Sequence, residues 1–156
     1  MTTADNPRPS SPTAPPADEA AGYVLDDQVG FLLRKAQQRH LSIFGEHIGS
    51  DLTPMQFAAL ARLHEGGPCS QNALGRLAAM DVATIKGVVT RLSARGLVEK
   101  RPAPGDKRLH LIALTEDGQR AVEAALPRAR EITTRTLDPL SAEEQATLVA
   151  LLRRIT

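Results

Sequence analysis

Between Asp81 and His110 the chain carries seven cations, Lys86, Arg91, Arg95, Lys100, Arg101, Lys107 and Arg108, against three acids, Asp81, Glu99 and Asp106. What such a segment can do is electrostatic rather than covalent, because concentrated guanidinium and ammonium groups suit a phosphate backbone. No other part of the chain has this excess. Residues 1–52 have a net charge of −3, residues 53–80 of +1 and residues 115–156 of −1, so the whole-chain value of +1 conceals +4 on residues 81–110. A solvated helix face followed by a polar turn has the same composition, and the organisation of the segment has to decide between the two.

Covalent chemistry finds little support. There is no G-x-S-x-G, no Gly-rich phosphate loop and no H-E-x-x-H, so no enzyme is expected. The four histidines are dispersed, with no second type of metal ligand at tight spacing, so neither metal nor cofactor is expected. Tyr23, Phe31, Phe44 and Phe57 are the only aromatic residues and none lies in the cationic segment, which argues against single-strand or RNA binding by stacking. Cys69 is the sole cysteine, so no internal disulfide forms. Its place one residue before a short helix gives a redox role only as the weaker reading.

The elements that must position these residues are legible from period and capping. Residues 1–22 hold five prolines among small and acidic residues and read as a mobile tail. No apolar run approaches the roughly 20 residues that span a membrane, and no signal peptide opens the chain, so a cytoplasmic protein is expected. Val29, Leu32, Leu33, Ala36, His40, Ile43, Phe44 and His47 follow a helical period and predict an amphipathic helix of about six turns, ended by Gly49 and Ser50. Thr53-Pro54-Met55-Gln56 is a capping box that opens a helix running to Gly66-Gly67-Pro68. Ser70 then caps a short helix, and Asp81 caps one whose apolar stripe is Ile85, Val88, Val89 and Leu92, closed by Gly96. Two β-prone runs, Leu97–Arg101 and Leu109–Leu114, flank a turn at Pro102–Asp106 and read as a hairpin. Thr115 opens a long helix that Pro127 is expected to interrupt or kink, and Ser141-Ala142-Glu143-Glu144 caps a last one.

Helix, short helix, helix and cationic hairpin, in that order, make a winged helix-turn-helix. The expected class is mainly α with a small β-hairpin wing, flanked by dimerisation helices. An α-helix fits the major groove, where each base pair shows its own donor and acceptor pattern. The face entering it must be small or polar, as Ala83, Thr84, Lys86 and Gly87 are. Thr84 and Lys86 are expected at base edges, and Ser70, Gln71, Asn72, Thr90 and Arg95 at phosphates, with Arg91 on the same surface. In the hairpin, Lys107 and Arg108 project from the turn, an arginine there suits a minor groove, and Asp106 is expected to orient a neighbouring guanidinium.

On these residues the chain resembles the MarR family of bacterial transcription factors. The likeness rests on Leu52–Phe57, on Thr84–Leu92 followed by Gly96-Leu97-Val98, on Asp106-Lys107-Arg108, and on Leu114-Thr115-Glu116-Asp117-Gly118. The resemblance implies one domain over residues 23–156, with a DNA-binding lobe at 53–115 and dimerisation helices at 23–50 and 116–156. It implies a homodimer on a pseudo-palindromic operator with half-sites about one helical turn apart. It further implies release of the DNA by a small aromatic or phenolic acid. Relatives that sense peroxide carry their cysteine in the first helix, where this chain has none. Gly87 departs from the arginine or other long side chain common at its position.

Dimerisation also follows from the terminal helices, whose apolar faces exceed what so thin a domain can bury. For the effector, Arg34, Arg39 and His40 are candidates to hold a carboxylate, with Phe31, Phe44 and Met55 as lining. For His40 and His47 the first reading is as core or interface residues, with a polar group of the pocket as the alternative. One functional alternative stays open, a protein–protein module that reuses the winged fold and docks an acidic partner on its wing.

Overall fold

In a computed structural model, residues 22–156 are described. The Pro-rich tail expected at residues 1–22 lies outside them except for Gly22. Two compact units divide the chain, residues 1–36 and residues 37–156. In the described part of the first, a 3-10 turn at Leu25–Asp27 precedes α1, Val29–His47, which continues into the second unit. Gln28 Nε2 donates to the Val24 carbonyl at 2.9 Å, and Lys35 pairs with Asp26 at 3.6 Å.

The second unit contains α2 (Pro54–Gly66), α3 (Gln71–Leu77), α4 (Val82–Ala94), β1 (Val98–Ala103), β2 (Asp106–Leu114), α5 (Glu116–Leu137) and α6 (Ala142–Ile155). Each boundary has a local cause. Thr53 Oγ1 accepts from Gln56 N while Gln56 Oε1 accepts from Thr53 N, so the capping box at α2 is complete. Ser141 and Glu144 repeat that arrangement at α6. Ser70 and Asp81 cap α3 and α4. Gly67 and Gly96 leave α2 and α4 at φ of 76° and 70°, a backbone conformation that a Cβ disfavours.

Leu60, Leu74, Ile85, Leu92, Ile112 and Val122 are fully buried, so α2 to α5 and β2 share one core. The helix-turn-helix is tight: a Cβ on Gly75 would lie 3.1 Å from both Ile85 Cγ2 and the Met80 carbonyl oxygen. In the turn between α3 and α4, Ala79 sits at φ 53°, which costs a non-glycine residue on the order of 1 kcal/mol.

Two expectations are corrected. Of the interruption or kink expected at Pro127, the interruption is absent: the helix after Thr115 runs to Leu137 with Pro127 inside it. Pro127 and Glu123 are both exposed, on the side of the helix where water can take the place of the missing donor. The hairpin is also longer than Leu97–Arg101 and Leu109–Leu114. Pro104 and Gly105 (φ 82°) turn the chain in two residues, and the strands reach to Ala103 and Asp106. Cys69 adds an antiparallel bridge to Ile112, its N–H donating to the Ile112 carbonyl at 3.2 Å and the reverse bond measuring 2.8 Å.

Candidate nucleic-acid interface

The exposed face of α4 is set by its cap and its stripe. Asp81 Oδ1 accepts the Thr84 main-chain N–H at 2.7 Å, and that bond holds the carboxyl below its ordinary value of 3.8. An ionised carboxylate here suits the positive end of the helix. Ile85, Val88, Val89 and Leu92 face the core. At about 100° per residue, Ala83 and Gly87 then emerge on the opposite side. Ala83 and Lys86 are exposed, while Thr84 and Gly87 are half-buried. Val82 lies three residues before Ile85, along the edge of the stripe, yet in the first turn it is 69% exposed.

Gly87 is covered from the side. A Cβ built there would lie 3.5 Å from Arg91 Nη2 and 3.7 Å from Nη1, so the guanidinium lies back across it. Gln71, Lys86 and Thr90 share a cleft of about 510 Å³ with Ser93 and Lys100, between α4 and β1. Lys100 was not among the expected contacts. The Thr90 hydroxyl donates to the Lys86 carbonyl at 2.8 Å and can still accept a bond. Asn72 is exposed in the first turn of α3, while the Ser70 hydroxyl is used as the cap, accepting Ala73 N at 3.2 Å. Arg95 stands past the end of α4 and turns toward α2, where Nη1 donates to Gln56 Oε1 at 3.4 Å. That contact separates it from the Lys86 cleft.

The wing corrects the expected turn at Pro102–Asp106. Pro102 pairs with His110 and Ala103 with Asp106, which leaves residues 107–109 of β2 without partners on β1. The Asp106-Lys107-Arg108 segment therefore starts a bulge in β2 rather than capping the turn. Asp106 does not orient a guanidinium; its Oδ1 accepts the Arg108 main-chain N–H at 2.8 Å. A bulged residue has no facing carbonyl, and a carboxylate two residues back has the right reach to replace it. Arg101 is turned to Glu99 at 2.5 Å.

The wing is anchored at its base. Thr115 Oγ1 donates to the Gly96 carbonyl at 2.6 Å and accepts from Gly118 N at 3.0 Å, while Thr115 N donates to the Leu97 carbonyl at 3.2 Å. The Leu114–Gly118 motif thus ties the end of β2 and the start of α5 to the turn after α4.

The residues expected around an effector divide. In the first unit, Arg34 Cζ lies 5.4 Å from the centre of the Phe31 ring. In the second, Arg39 donates from Nε to the Thr136 carbonyl at 3.2 Å and from Nη2 to the Arg135 carbonyl at 2.9 Å, serving the end of α5. Thr136 Oγ1 donates to the Ile132 carbonyl at 2.7 Å, so at its 3.1 Å contact with His40 Nδ1 it accepts. His40 Nδ1 carries the hydrogen, which leaves Nε2 for another partner. Phe44 is buried against Phe57 with ring centres 6.2 Å apart and has His40 at 6.5 Å. Met55 is 52% exposed. His47 is used locally, its Nδ1 within 2.9 Å of the Ile43 carbonyl. Burial pushes the Cys69 thiol up, away from the reactive thiolate. Among the described residues, no helix is long and apolar enough to cross a membrane.

Comparison with known proteins places these features in context. The model of the MarR family matches residues 50–109. The transcriptional repressor NicR of Pseudomonas putida is 42% identical over 147 residues, covering 94% of this chain and 92% of its own. A crystal structure of a probable transcriptional regulator from Pseudomonas aeruginosa is 54% identical with a TM-score of 0.82, covering 85% of this chain and 100% of its own. BpsR of Bordetella bronchiseptica, solved in a study of how 6-hydroxynicotinic acid regulates its DNA binding, is 42% identical with a TM-score of 0.81, covering 85% and 96%.

Proposed function

Because the chain belongs to the MarR family of transcriptional regulators, we propose that α4 and the bulged wing form its reading surface on DNA. The protein is a double-stranded-DNA-binding regulator that works as a homodimer on a pseudo-palindromic operator. One observation carries the assignment of the surface. The side of α4 opposite its buried stripe is lined by Ala83 and Gly87, small enough for the helix to enter a major groove, with Lys86 beside them and Arg108 held on the adjacent wing. Gln71, Asn72, Thr90 and Lys100 are placed to meet the phosphates alongside. The contacts expected of Ser70 and Arg95 are secondary, since the one caps α3 and the other holds Gln56.

Residues 53–115 form the reading lobe, and α1, α5 and α6 form the dimer contact. Support for the contact comes from exposed apolar side chains in each unit: Val29 (69%) in the first, Leu151 and Ile155 (50% and 69%) in the second. A transcriptional regulator of this kind acts in the cytoplasm and needs no catalytic group.

The effector is a hydroxylated aromatic or pyridine carboxylic acid. BpsR answers to such a compound. His40 supports the same chemistry here, since its Nε2, beside Phe44 and without a partner among the described residues, suits a phenol hydroxyl. Met55 is a further candidate for the lining, whereas Arg39 is already bound to the carbonyls of α5.

Fluorescence anisotropy on the duplex upstream of the coding region tests the reading. The protein should prefer it to random duplex by at least about 1,000-fold, with log affinity falling linearly as log salt rises. Addition of 6-hydroxynicotinic acid should release the DNA, and His40→Ala should lose that response while still binding the operator. Equal affinity for random duplex, or strong binding to an acidic protein instead, would sink the assignment.

A further inference from the structure

We propose that Arg91 reads a guanine in the major groove across the space left by Gly87, so that this glycine sets the base preference at one position of each half-site. The inference rests on the DNA-binding reading above. Ala83, Gly87 and Arg91 form one i, i+4 row on α4, running away from its N-terminus. Side chains on a helix lean back toward the N-terminus, so the long side chain at 91 covers the turn before its own Cα.

Gly87 is what makes that position available. A Cβ there would lie 3.5, 3.7 and 3.8 Å from Arg91 Nη2, Nη1 and Cζ, so an alanine leaves the guanidinium in place while a branched or long side chain has to displace it. Among the described residues the Arg91 guanidinium makes no hydrogen bond or ion pair. A planar, unpaired fork is thus carried about one helical turn, roughly 5 Å, toward the part of α4 that enters the groove. Guanine is the base that meets such a fork, presenting O6 and N7 as two adjacent acceptors. A lysine in its place is a point charge and cannot make both bonds.

The test uses the full chain and its footprinted operator, with binding measured on every single-base variant. Arg91→Ala should lose about 10- to 100-fold on the operator, the range of one bidentate pair, but less than about 3-fold on random duplex. It should also level the preference at one G·C pair per half-site, and Arg91→Lys should not restore it. Gly87→Leu, which displaces the guanidinium, should level the same pair. Replacing that guanine by 7-deazaguanine should weaken the parent and leave Arg91→Ala unchanged. An equal loss on all sequences, with a shallower salt dependence, would make Arg91 a phosphate contact and overturn the proposal while leaving the regulator reading intact. A parent that shows no preference over random duplex would overturn both.

Discussion

Gly118 packs so closely on Leu97 that a Cβ at 118 would stand 1.9 Å from the Leu97 carbonyl oxygen. Main chain meets main chain here, and the Thr115 hydroxyl locks the contact by donating to Gly96 and accepting from Gly118. Gly118→Ala must therefore separate α5 from the base of the wing, which should cost about 3 kcal/mol or more, at the severe end for overpacking. Thermal or urea unfolding measures it. Thr115→Ala, which removes a cap without a clash, should cost about 1 kcal/mol. If Gly118→Ala unfolds like the parent, the close approach does not exist in solution.

The bond from Arg108 N–H to Asp106 predicts an effect opposite in sign to simple charge counting. Removing an acid beside DNA should strengthen binding. Asp106→Ala should instead weaken it by about 10-fold, because the bulge that presents Arg108 loses the side-chain bond that fixes its main chain. The melting temperature should hardly move, since the residue is exposed. Asp106→Asn keeps an acceptor oxygen and should recover most of the affinity. Tighter binding by the alanine variant would show that charge, not wing geometry, governs this position.

Asp81 makes the stability of the reading helix depend on pH. Its folded carboxyl titrates below the ordinary 3.8 because Thr84 N–H bonds the ionised form. The stabilisation is therefore fully present well above pH 3.8 and is lost as pH falls through the lower, folded value. Asp81→Ala should melt below the parent at pH 7, and the difference should close at strongly acid pH. A gap that stays constant down to that range would remove the carboxylate from the account of the cap.

Cys69 should be a slow thiol. Burial raises its pKa, and the residue serves the sheet through its backbone bonds with Ile112. Iodoacetamide should modify it more slowly than a free thiol at pH 8, and Cys69→Ala should bind DNA like the parent both with and without peroxide. Loss of binding on mild oxidation, absent in the alanine variant, would restore the redox role.

Much of the reading lobe follows from the order of residues alone, because its determinants are local. A Thr53, Ser70, Asp81 or Ser141 side chain reaches the N–H three residues ahead whatever the rest of the chain does, so caps and helix starts were legible. The stripe of Ile85, Val88, Val89 and Leu92 likewise named the face of α4 left for DNA. Tertiary structure decided what depends on partners far along the chain. Arg39 is bound to carbonyls 96 and 97 residues away, Arg95 to Gln56 39 residues away, and the bulge at 107–109 exists only in the register between two strands. A side chain's type declares which bonds it can make. Only packing brings the acceptor within 3 Å or so and settles which of them it does make.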